Sequence, residues 1–120
     1  MDKIQNPQKF DLEGRTFQFA KNIALYVKKL PQNISNLEYG KQVTGSSGSV
    51  GANYIEANEA LSKKDFAVRI KICRKEAKET AYWLRLIETN DEKFRAEGIM
   101  LLNEAIELKK IFSSILLKSE

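Results

Sequence analysis

Residues 43–57 read Val43-Thr44-Gly45-Ser46-Ser47-Gly48-Ser49-Val50-Gly51-Ala52-Asn53-Tyr54-Ile55-Glu56-Ala57. Seven of the eight residues 45–52 are small, so composition alone reads as a flexible linker. Propensity points the same way, because each glycine costs a helix interior roughly 1 kcal/mol. Two features argue for a helix instead. Val43, Val50 and Ile55 carry an apolar pattern through the stretch, and small residues recur four apart at Gly45/Ser49 and Gly48/Ala52. A four-residue step keeps side chains on one helical face. A neighbouring backbone is therefore expected to approach closely there, and that contact offsets the poor propensity. Residues 43–58 are expected to be continuous helix, within a helix that starts between Ser35 and Leu37 and ends near Asn58.

Working outward, three more helices flank this one. The first is expected from Asp11, a good N-cap, to Leu30-Pro31. Leu12, Phe19, Ile23, Val27 and Leu30 share one of its faces, and Phe10 and Phe17 are expected to cover the bundle edge. The third follows Ser62, where Ser62-Lys63-Lys64-Asp65 resembles a capping box, and runs to about Glu88. Phe66, Ile70, Cys73, Ala77, Leu84 and Ile87 form its stripe, with Val68, Ile72, Tyr82 and Leu86 lying off it. The fourth is expected from about Asp91 to Leu117 and is apolar on more than one side. Surplus apolar surface on helices three and four implies a second buried interface. Long helices with short connections and no strand signal predict an all-α, antiparallel, up-down-up-down four-helix bundle. The 120 residues make one domain, with residues 1–9 expected to be a flexible N-terminal arm.

Composition excludes several function classes. There is no histidine, so a Ser-His-Asp triad is ruled out and a zinc site has only Cys73 and carboxylates to draw on. Cys73 is expected to be a small buried hydrophobe, since no histidine is available to activate it. Gly45–Gly51 lacks the Gly-Lys-Ser/Thr ending of a phosphate-binding loop and follows no strand. Glu76 and Glu79 lie three apart on one face, as in di-iron bundles, but the accompanying histidines are missing. No catalytic residue, cofactor or metal is expected, and the chain is read as not an enzyme. No apolar run approaches the ~20 residues of a membrane span. The start of the chain lacks a signal-peptide core, and the lone thiol suits a reducing compartment, so a cytoplasmic location is expected.

The charge is unevenly placed. The chain carries a net +4. Residues 63–88 hold eight basic and four acidic side chains, while the segments on either side nearly balance. A basic segment is the electrostatic footprint of a polyanion partner, and the bland alternative is a solvated helix face. Lys64, Lys71, Arg74 and Lys75 are the expected nucleic-acid contacts. Arg69 and Lys78 are expected to pair with acidic neighbours. Tyr82-Trp83 offers a stacking platform or, more ordinarily, core or interface aromatics. Asn53, Glu56, Glu79 and Tyr82 are expected to form a polar network with nearby basic residues at helix contacts.

Ser49, Asn53 and Glu56, then Asp65-Phe66, then Glu76, Glu79 and Tyr82-Trp83-Leu84 occur in an order that resembles the family of proteins encoded in intervening sequences of 23S ribosomal RNA genes. That family is related to accessory proteins of diversity-generating retroelements. The chain departs from it at Thr44-Gly45-Ser46, where arginines are common. The resemblance covers about Phe10 to Leu117. It implies an antiparallel four-helix bundle, a ring-like homo-oligomer that is most often a pentamer, and weak, non-specific RNA or DNA binding. It also implies a protein partner such as a reverse transcriptase. A purely structural or protein-interaction module is the alternative.

Overall fold

Three of the four helices are started by side chains that take up backbone N–H groups left over at a helix N-terminus. The protein's structure, a computed structural model, describes residues 7–119, with side chains from Leu12 onward. Helix α1 spans Pro7–Lys28, α2 Ile34–Asn58, α3 Lys63–Leu86 and α4 Glu92–Lys118. Asn33 caps α2 by accepting from the Asn36 N–H, Ser62 caps α3 by accepting from Asp65, and Asp91 caps α4 by accepting from Lys93 and Phe94. Each such cap contributes about 1 kcal/mol.

Helix α1 begins at Pro7 and not near Asp11. Proline suits a first helical position because its missing N–H would have no intrahelical partner there. Residues 7–9 of the expected flexible arm are therefore helical, and residues 1–6 lie outside the described part, as does the side chain of Phe10. Phe17 does not cover an edge within the protomer; it is 65% exposed.

Helix α2 runs unbroken through 45–52. Its glycines do not act where their spacing suggested. A Cβ on Gly45 or Gly48 would meet nothing within 4 Å. One on Gly51 would lie 3.0 Å from the Thr16 hydroxyl, and one on Gly40 would lie 3.0 Å from Val27. The close approach of α1 is thus made at Gly40 and Gly51. The cause is phase: Val43, Val50 and Tyr54 point to the core, and Gly45, Gly48 and Ala52 fall on the opposite face. Ile55 falls outward too, and Tyr54 takes the core position, its ring 6.0 Å from that of Phe112.

The small polar residues of α2 satisfy themselves. Ser47 donates back to the Thr44 carbonyl, Thr80 donates to the Glu76 carbonyl, and Ser46 donates to the Thr80 hydroxyl oxygen at 2.8 Å in preference to the Val43 carbonyl at 3.4 Å. A helix–helix contact built this way carries buried hydroxyls without an unmet donor.

Around the core, α1 packs on α2 and α4, α2 on α3, and α3 on α4. Phe19, Ile23, Val43, Val50, Ile70, Cys73, Ala77, Ala105, Leu108 and Phe112 are almost wholly buried, joined by Tyr26, Thr16 and Thr80, which apolar periodicity did not single out. The body is 19 Å across its thinnest direction, two helix layers at the usual 8–10 Å spacing. Apolar side chains left outside occur on every helix: Leu25 on α1, Ile34, Leu37 and Ile55 on α2, Val68 and Tyr82 on α3, and Ile99, Met100 and Leu117 on α4. The surplus is broader than the two helices to which sequence assigned it.

Candidate nucleic-acid interface

Ile70, Cys73, Ala77, Thr80 and Leu84 turn the inner face of α3 to the core. At 100° per residue, the opposite face carries Lys64, Lys71, Lys75 and Lys78, all exposed, over a rise of about 21 Å. Val68 and Tyr82 share it. Among the described residues Lys64, Lys71 and Lys78 make no ion pair. Lys75 lies 3.9 Å from Glu76, at the limit of one. Exposed Glu79 shares this face and offsets part of the charge, leaving four lysines against one carboxylate as a row of mobile positive charges.

Of the residues expected to touch nucleic acid, Lys64, Lys71 and Lys75 are thus brought together on one face. Arg74 is not: helical phase turns it to the flank beside α4, where it is half-buried. Lys78, expected to pair with an acidic neighbour, instead stands unpaired on the row. The signal for it was present, since 71, 75 and 78 follow the 4-3 step of a single face. Arg69 turns toward α2, where its guanidinium donates to Asn53 Oδ1 at 3.1 Å.

The expected polar network is smaller than the sequence suggested. Asn53 Nδ2 donates to both the carbonyl and the hydroxyl of Ser49, at 2.9 Å each, and its oxygen receives Arg69. This Ser49–Asn53–Arg69 chain ties α2 to α3. The Glu56 and Glu79 side chains face solvent and make no hydrogen bond or ion pair among the described residues. Asp65 sits in the first turn of α3, where its charge favours the helix N-terminus, and its N–H is the one Ser62 caps. Phe66 packs half-buried on the core. Tyr82 is exposed and stands edge-on to Trp83, with ring centres 5.0 Å apart, and Trp83 lies against Tyr39 of α2 at 6.0 Å. These aromatics seal the outer α2–α3 seam.

Two titratable groups of α3 are displaced by their surroundings. Burial raises the Glu76 carboxyl above its ordinary range, Glu79 adds to the rise, and Lys75 opposes it. Burial pushes the Cys73 thiol up to about 12, so it stays protonated as a packing group. Residues 45–51 lie inside α2 with their N–H groups committed to the helix, which removes the phosphate-loop geometry. Among the described residues no three of Cys, Asp and Glu gather as a metal-holding group, and no helix is long and apolar enough to cross a membrane.

The sequence profile of the 23S rRNA-intervening sequence proteins matches residues 8–114. The chain belongs to this family. A crystal structure of a protein of unknown function from the S23 ribosomal protein family of Bacteroides thetaiotaomicron VPI-5482 is similar to this intervening-sequence protein, with a TM-score of 0.71 and 31% identity. That likeness covers 87% of this chain and 96% of the other. No curated protein matches the chain. Membership in the intervening-sequence family therefore fixes the fold of this chain and leaves its activity to be argued from its own surface.

Proposed function

We propose that this intervening-sequence protein is a non-enzymatic, cytoplasmic, nucleic-acid-binding subunit that holds RNA or DNA by its phosphates, without reading sequence. The observation that carries this reading is the outer row of α3. Lys64, Lys71, Lys75 and Lys78 are exposed along one line, and phosphate contacts by lysine position a strand while carrying no base information. The fold we propose is an antiparallel up-down-up-down bundle. Its support is the order of the paired residues: Arg15 meets Glu104 and Lys29 meets Glu97 between α1 and α4, while Ser46 meets Thr80 and Asn53 meets Arg69 between α2 and α3.

The subunit assembles as a ring-like homo-oligomer, most readily a pentamer as in the family it belongs to. The apolar side chains exposed on all four helices support a buried subunit interface. Five copies would bring the net charge to about +20, strengthening attraction for a polyanion. Light scattering at micromolar concentration should give several times the 13.7 kDa of one chain, and a clean monomer contradicts the assembly. Reversing Lys71 and Lys75 to Glu should abolish binding of a fluorescent RNA or DNA oligonucleotide while leaving the oligomer intact. Unchanged binding in that variant would overturn the assignment to α3, and no binding by the unmodified protein would favour the second reading, a structural or protein-interaction module whose partners, a reverse transcriptase among them, meet the exposed apolar side chains.

A further inference from the structure

Where α3 turns into α4, a cavity of about 560 Å³ opens on the surface, lined by Arg85, which stands seven residues beyond Lys78 on α3. One group in its lining has no explanation in the fold. Tyr26 of α1 is 2% exposed, and its hydroxyl has no hydrogen-bond partner among the described residues. A Cβ at Gly98 of α4 would lie only 2.7 Å from that hydroxyl oxygen. Glycine at 98 is therefore what lets the phenol cross α4 and reach the cavity. Burial, with Glu97 nearby, raises the Tyr26 pKa, so the group is a neutral O–H donor at physiological pH. A buried donor left without an acceptor is costly, and phenylalanine would fill the same space without that cost.

Other donors converge on the same cavity. Arg85 lines it, is exposed, and makes no hydrogen bond or ion pair among the described residues. Thr89 accepts from the Asp91 N–H through its hydroxyl oxygen, which leaves the hydroxyl hydrogen free to donate. Arg95 is committed: it binds Glu92 and reaches the Thr89 carbonyl, which holds the turn in place. Ile99 and Leu102 supply an apolar wall. Glu88 also lines the cavity and works against a doubly charged guest.

We propose that this cavity binds a small organic monoanion, a carboxylate on an apolar body, with its oxygens on Tyr26, Arg85 and Thr89 and its body on Ile99 and Leu102. A guanidinium fork receives a carboxylate through two parallel N–H bonds. A single uncommitted cation beside Glu88 matches one negative charge better than two, and the apolar wall has no counterpart in inorganic phosphate.

The test titrates the full-length protein with benzoate, inorganic phosphate and benzyl alcohol, following binding by calorimetry and by amide shifts at Gly98 and Thr89. Benzoate should saturate with millimolar affinity and shift those amides, with the other two probes far weaker. Arg85→Gln should weaken benzoate about tenfold, the size expected for losing a charged hydrogen bond. Tyr26→Phe should weaken it several-fold while leaving the unliganded melting temperature unchanged or higher, which a purely structural tyrosine would not do. Benzoate binding that does not saturate, that survives both substitutions, or that is matched by phosphate or benzyl alcohol overturns the assignment.

Discussion

The two faces of α3 belong to one helix and have opposite chemistry. The inner face, Ile70, Cys73, Ala77, Thr80 and Leu84, is buried, and its small members let α2 and α4 close in. The outer face carries Lys64, Lys71, Lys75 and Lys78 in water. Helix α2 repeats the division with a single residue type: Gly51 lies against Thr16, and Gly48, three positions earlier, faces open space. Residue type and spacing decide that a helix forms; phase relative to the core decides what each residue does in it.

The sharpest way to break this division is on the inner side. Ile70 has no exposed surface, so Ile70→Ala should cost about 2–5 kcal/mol in denaturant unfolding, from lost burial plus the cavity left behind. A loss below about 1 kcal/mol would mean that α3 is not seated as described. Next come the two glycines. Gly51→Leu should destabilise by about 1–3 kcal/mol, because Thr16 and the α1 backbone stand in the way. Gly48→Ala should stabilise by about 0.5–1 kcal/mol, since it improves helix propensity and meets nothing. Equal effects at the two sites would erase the distinction between faces.

Much of this was legible in the sequence. The Ser62 cap, the end of α2 at Asn58 and the buried positions Phe19, Ile23, Ile70 and Ala77 follow from capping chemistry and a 3.6-residue period. What escaped was phase and polarity. Gly45/Ser49 and Gly40/Gly51 each keep to one helical face, the second pair being three turns apart, yet only the second meets α1, because the core direction is set by Val43, Val50 and Tyr54. Thr16 and Thr80 are buried but polar, and their hydroxyls are met by the Leu12, Glu13 and Glu76 carbonyls and by Ser46, partners that an apolar pattern does not reveal. At the candidate interface, Arg74 and Lys75 are adjacent in sequence and were grouped together; a 100° turn separates them, and Lys78 fills the row instead.

The smallest expected effect lies at the boundary between the faces. The folded state holds Glu76 with a raised pKa, so it takes up a proton more readily than the unfolded chain. Stability therefore declines as pH rises from the ordinary carboxylate range through the raised folded value, and the penalty is fully present at neutral pH. Glu76→Gln should raise the melting temperature slightly at neutral pH and lose that advantage as pH falls through the raised value into the ordinary carboxylate range. A gain that is the same at both pH values would place the cause elsewhere than in the buried charge.

The claim that the outer face of α3 holds nucleic acid by its phosphates is tested most directly by the salt dependence of binding to a single-stranded oligonucleotide. Each phosphate neutralised releases counterions and contributes about −0.7 to the slope of log affinity against log salt. Four lysines on one protomer predict a slope of about −3, and the Lys71→Glu, Lys75→Glu protein should show no binding under the same conditions. A flat salt dependence, or no binding by the wild-type protein at about 50 mM salt, would contradict the account.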